Sequence, residues 1–180
     1  ARGYHVTCYN RKRKHVSSGL VEKTKEYKKV KLKEVLTIDK KGLAAMTSSF
    51  FGSLVIAFGK YDVVHIHGNS HTVVLELLAA KSAGCCVRIV HSHSSSCTHM
   101  LVSKLLTPLF NKLYTHALAC GNAAGLWMFG KRNFKVINNG VDTVKFAFEC
   151  KNRQVLREEN QWTDAKVIGH VGNFVPVKNQ

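Results

Sequence analysis

The sequence predicts an α/β fold, a parallel sheet with helices on both faces. Strand-like runs lie near 4–9, 30–36, 61–67, 86–91, 115–120, 134–138 and 166–171, with helix-like stretches at 43–58, 70–83, 98–113, 122–130 and 147–159. From residue 61 onward the strands are short, continuous and rich in Val and Ile, as expected where both sheet faces are covered. The 180 residues are 45% hydrophobic and 21% charged, which suits one domain with a real core and excludes a disordered chain.

The first strand, Tyr4–Tyr9, is followed by a Lys-rich stretch, 11–41, with a Ser17-Ser18-Gly19 break. That stretch predicts an exposed loop and then an edge or peripheral strand, since Val30, Leu32 and Glu34 alternate. Residues 42–59 carry no charge, and their length is that of a membrane span. Their serines, threonine and glycines, the cap-like Gly59 and the strand that follows at once favour a helix packed on the sheet. Between 63 and 141 the only acidic residue is Glu76, inside the predicted 70–83 helix. Only Pro108 and Pro176 interrupt the pattern.

Net charge is +16, and 13 of the 27 Lys and Arg fall within residues 1–41. Such a balance points to an acidic partner: nucleic acid, anionic lipid or a phosphorylated substrate. Six cysteines without Cys-x-x-Cys pairs or a secreted framework read as free thiols in a reducing compartment. The opening residues do not have the form of a secretory signal.

Four constellations carry chemistry. In Tyr61-Asp-Val-Val-His65-Ile-His67-Gly68, strand alternation puts His65 and His67 on one face at the carboxyl end, the edge where open α/β sheets bind ligands. Arg88-Ile-Val-His91-Ser-His93 repeats the arrangement, and Ser92, Ser94, Ser95, Ser96 and Thr98 then offer hydroxyls to cap the next helix or meet a ligand. In Asn138-Asn139-Gly140-Val141-Asp142, residues that tolerate positive φ form a turn, and Asp142 can accept hydrogen bonds from nearby amides. In Gly169-His170-Val171-Gly172-Asn173 and Lys178, a strand breaking at glycine before a lysine suits a phosphate.

The four strand histidines, joined by His71 or His99, also have the makings of a metal site and hence of a metal-dependent hydrolase, but no carboxylate accompanies them.

Taken in order, Arg2-Gly-Tyr-His-Val-Thr7, Tyr61-Asp-Val-Val-His-Ile-His-Gly68, Ile89-Val-His-Ser-His93, Val136-Ile-Asn-Asn-Gly-Val-Asp142 and Ile168-Gly-His-Val-Gly-Asn-Phe174 with Lys178-Asn179 resemble the family 4 glycosyltransferases, in particular bacterial enzymes of exopolysaccharide and capsule assembly. The resemblance implies the amino-terminal, Rossmann-like half of a GT-B fold. Residues 1–163 would form the acceptor-side domain, and 164–180 a linker with the first strand of a nucleotide-sugar domain.

It implies retaining transfer without metal or other cofactor, from a nucleotide-sugar, tilted toward UDP, to a lipid-linked or polysaccharide acceptor. His67 and His93, with His91 as the competing register, would line the cleft; Asn139, Gly140 and Asp142 would face it. Gly172, Asn173 and Lys178 would meet the donor, with Lys178 on its pyrophosphate. Asn173 stands where the family carries an arginine. The family's glycine-rich first strand-loop would precede Ala1, and its Glu-x(7)-Glu element would follow Gln180. Without that first strand, two neighbouring strands would lack ladder partners. The chain alone is therefore expected to be inactive, and the parent to work in the cytoplasm, with 11–41 resting on the anionic inner face of the membrane.

The alternative is a non-catalytic basic domain that binds anionic membrane or nucleic acid through Arg11-Lys-Arg-Lys14. Few aromatics accompany that stretch and no reader motif is present, so no nucleic-acid partner is expected.

Overall fold

The computed structural model describes residues 3–11, 26–27, 29–38, 43–97 and 99–169. The chain is α/β, with parallel sheets flanked by helices in a Rossmann-like manner. In order come β1 (Val6–Arg11), β2 (Glu26–Tyr27), β3 (Val30–Val35), α1 (Leu43–Phe58), β4 (Val63–Gly68), a 3-10 turn (His71–Val73), α2 (Val74–Ser82), β5 (Val87–Ser92), α3 (Met100–Phe110), β6 (His116–Ala119), α4 (Asn122–Phe129), β7 (Lys135–Val136) and α5 (Cys150–Glu159).

The strands form two sheets, ordered β1-β3-β2 and β4-β5-β6-β7. β1 runs parallel to β3 from Val6↔Val30, whereas β2 folds back antiparallel on β3. The strand at Val30, Leu32 and Glu34 is thus the middle of its sheet, not an edge. Lys29, at φ 67°, takes the left-handed conformation in the turn that returns the chain. The second sheet is parallel throughout. Among the described residues, β1, β2, β4 and β7 are the edge strands, each with one side unpaired. The Tyr9 and Tyr61 hydroxyls, on β1 and just before β4, meet at 2.8 Å.

β4 shows why alternation matters: Val64 and Ile66 are buried while His65 and His67 are exposed. Val64, Ile66 and Val90 join Val74, Leu77 and Ala80 of α2, Phe110, Leu113, Met128 and Phe129 in one core. The charge-free segment is the helix α1, packed on α2. Its Thr47 hydroxyl accepts from the Ile38 amide at 3.1 Å, and Ser53 donates to the Ser49 carbonyl at 2.7 Å. No helix among the described residues is long and apolar enough to cross a membrane. Gly125, inside α4, lets the edge of the Phe134 ring lie where a Cβ would stand.

Arg88 anchors the start of β5 by donating to the Leu113 carbonyl at 2.7 Å, and the Thr115 hydroxyl both accepts from the Arg88 amide and donates to its carbonyl. These bonds set the register that carries the far end of β5 to its site.

By compactness the chain divides at Asn139, into units 1–139 and 140–180. The second unit holds α5, which has no buried residue; the Arg157 guanidinium donates to the Thr163 and Ala165 carbonyls just beyond it. A strand was expected at 166–171, yet residues 166–169 pair with nothing described, and 170–171 lie outside the described residues.

Candidate functional site

Parallel pairing of β4 with β5 sets His67 directly beside His91, and Val64 and Ile66 beside Arg88 and Val90 on the opposite face. His65 lies two residues before His67 on the same face, and His93 lies just past the end of β5. Four imidazoles therefore converge at the carboxyl edge of the second sheet.

Three pairs of rings stack, with centroids 4.4 Å apart for His65 and His67, 5.5 Å for His65 and His91 and 5.0 Å for His67 and His93, while His91 and His93 lie tilted at 4.2 Å. His67 Nδ1 and His93 Nε2 are 2.7 Å apart, so one ring N–H donates to the other's lone pair. The sequence left His91 and His93 as competitors for one role, and the structure brings both to His67. His65, which the resemblance gave no role, belongs to the same cluster.

His91 is 7% exposed, and neither of its ring nitrogens has a hydrogen-bond partner among the described residues. Burial, then the neighbouring His93 and His65, push its pKa down; a weak polar contact with the Ile137 backbone, short of a well-formed hydrogen bond, opposes this. Burial and the adjoining rings hold His67 down to about 4, and His65 is lowered for the same reasons. The cluster is built for neutral imidazoles.

One consequence is measurable. Below its ordinary pKa of 6.5 an unfolded His67 takes up a proton that the folded chain refuses until about pH 4, so acidification across that window favours unfolding. Stability is full above pH 6.5 and falls as pH drops toward 4. Thermal melts at pH 7, 6 and 5 should show a falling Tm, with a smaller fall in His67→Gln. Equal slopes in the two proteins would contradict the assignment.

His71 is different. Its Nδ1 lies 2.6 Å from the Ser103 hydroxyl, and its Nε2 lies 2.9 Å from the Met128 carbonyl, to which it donates. Both partners are satisfied inside the core, so His71 ties the 3-10 turn to α3 and α4 and is not free to join a metal cluster. Sequence reasoning did not find this network. His99 is the residue before α3, and contrary to expectation no serine caps that helix. The hydroxyls serve their own loop instead: Ser94 donates to the Ser96 carbonyl at 3.0 Å and Ser92 to the Ser94 carbonyl at 3.4 Å, while Thr98 lies outside the described residues.

The loop at Asn139, Gly140 and Asp142 is exposed. Asp142 does accept from backbone amides, those of Val144 at 3.2 Å and Lys145 at 3.0 Å, but neither asparagine nor Gly140 takes positive φ. Gly172, Asn173 and Lys178 lie outside the described residues.

Over 136 residues the chain is 34% identical to the protein named "Putative glycosyltransferase EpsF" of Bacillus subtilis (strain 168). That match takes in 67% of this chain and 34% of the relative, so the chain spans about a third of the curated protein it resembles. No protein-family model matches the chain, and no solved structure does.

Proposed function

We propose that the chain is the acceptor-side part of a glycosyltransferase of family 4 and the GT-B fold, which moves a sugar with retention, and without a catalytic metal, from a nucleotide-sugar to a lipid-linked or polysaccharide acceptor. The observation that carries this reading is the meeting of His67, His91 and His93 at the carboxyl edge of a parallel sheet, where such folds receive ligands. The similarity to a bacterial protein named as a putative glycosyltransferase supports it, and exopolysaccharide assembly in a bacterium is the setting that the motif resemblance adds.

A neutral imidazole offers one N–H and one lone pair, which suits the hydroxyls of a sugar better than a cation does. His67 and His93 are exposed enough to reach a ligand, and His91 backs them from below. In this reading Asn139, Gly140 and Asp142 face the cleft. Gly172, Asn173 and Lys178 meet the donor, UDP-linked, with Lys178 stabilising charge on the departing pyrophosphate. In this reading the domain boundary lies at 163/164, beyond the compactness division at Asn139. The basic stretch 11–41 rests on anionic lipid at the cytoplasmic face.

The test is transfer of labelled sugar from UDP-sugars to membrane-extracted lipid-linked acceptors. The full-length product of the encoding gene should turn over, with activity unchanged by chelator, while the 180-residue chain alone should not. No transfer by the full-length protein across a donor panel would refute the reading, and turnover by the 180-residue chain would refute the division of labour.

A further inference from the structure

We infer that His65, His67 and His91 form a binding site for a first-row transition metal ion of the zinc, nickel or copper class, with His93 supporting His67 from the second position. This inference rests on the side chains alone: an ion would take the one free nitrogen of His67, so it would compete with sugar hydroxyls at the cluster and take no part in the metal-free transfer proposed above.

One ring nitrogen from each of the three histidines lies within 4.8 Å of the others. A tetrahedral ion with bonds of 2.0–2.1 Å needs its ligand atoms about 3.3 Å apart. The rings must therefore close by roughly 1.5 Å at most, within reach of small side-chain rotations on adjoining strands. The spacing is near the ion's requirement because β4 and β5 are paired in register at His67↔His91 and His65 sits two residues away on the same face.

A second observation points independently to a ligand. A buried histidine ordinarily finds partners for its ring, as His71 does with Ser103 and Met128. His91 is as buried as His71, yet neither of its nitrogens makes a well-formed hydrogen bond among the described residues, where only the Ile137 backbone comes weakly near. An ion on one of them would remove that deficit. His67, engaged by His93 through Nδ1, keeps Nε2 for the ion. A metal-bound imidazole commonly holds its remaining N–H on a second group, which fixes its tautomer, and His93 provides that group.

The donor set selects the class of ion. Imidazole nitrogen suits zinc, copper and nickel, whereas magnesium and calcium require oxygen ligands that the three histidines do not supply. His65 and His67 are exposed, which gives the ion a route in and leaves its fourth position to water.

The purified 180-residue chain, kept reduced with a non-thiol reductant, is titrated with cobalt(II) chloride by visible absorption and with zinc chloride by calorimetry. One ion per chain is expected, with cobalt d–d bands and no thiolate-to-cobalt charge transfer. His65→Gln and His91→Leu should each weaken zinc at least ~100-fold, and His93→Gln about 10–100-fold, as loss of a supporting group does. Cys86→Ser and Cys150→Ser, at exposed thiols, should leave binding unchanged. Absence of saturable binding, a thiolate spectrum, or unaltered affinity in His65→Gln would overturn the site. His65 is exposed, so that variant decides the matter even if His91→Leu alters folding, which circular dichroism monitors.

Discussion

Phe110→Ala should destabilise the chain by about 3–5 kcal/mol, a large share of the 5–15 kcal/mol that a domain of this kind possesses. Phe110 has no exposed surface and ends α3 in the centre of the core. Its ring meets His71 edge-on at 4.7 Å, Tyr114 at 4.9 Å and Phe129 at 5.9 Å, so truncation leaves a cavity bordered by three other rings. It also loosens the packing around the hydrogen bonds of His71 to Ser103 and Met128. Leu105, on the same helix, is 82% exposed, and Leu105→Ala should fall within about 0.5 kcal/mol of the parent. Urea denaturation of the three proteins checks both. A Phe110→Ala loss below 1 kcal/mol would mean that the core is not organised around α3.

Local pattern made most of the elements legible. The run 43–58 is α1 residue for residue, and 122–130 and 147–159 contain α4 and α5, because periodicity and charge report on burial along one segment. Pairing between segments was not legible. Glu26–Tyr27 is too short to read as a strand, yet by folding back on β3 it makes a middle strand of residues expected at an edge. Ser92 and Ser94 look like candidate caps in the sequence, but their hydroxyls reach carbonyls two residues on before the helix starts.

The site shows the same limit. Alternation alone places His65 and His67 on one face, but the position of His91 beside His67 depends on strand register across 24 residues. Strand reading separated His91 from His93 as alternatives, whereas the turn after β5 lets both reach His67. His71 looked like a further ligand by composition. Its partners, 32 and 57 residues away, make it structural.

The contrast between His71 and His91 holds the central claim, that the histidine cluster exists for binding and not for folding. A buried polar ring without well-formed hydrogen bonds costs about 1–3 kcal/mol, and an apolar side chain of similar size avoids that cost. His91→Leu should therefore raise stability by about 1–3 kcal/mol, even as it removes the ring from the site. Chemical denaturation of His91→Leu against the parent, in metal-free buffer at pH 7.5, is the most direct measurement. A higher midpoint in the variant is the result expected of a residue retained for a ligand at the expense of the fold. A midpoint lowered by more than about 1 kcal/mol would show that His91 is a structural residue like His71, and would contradict the claim.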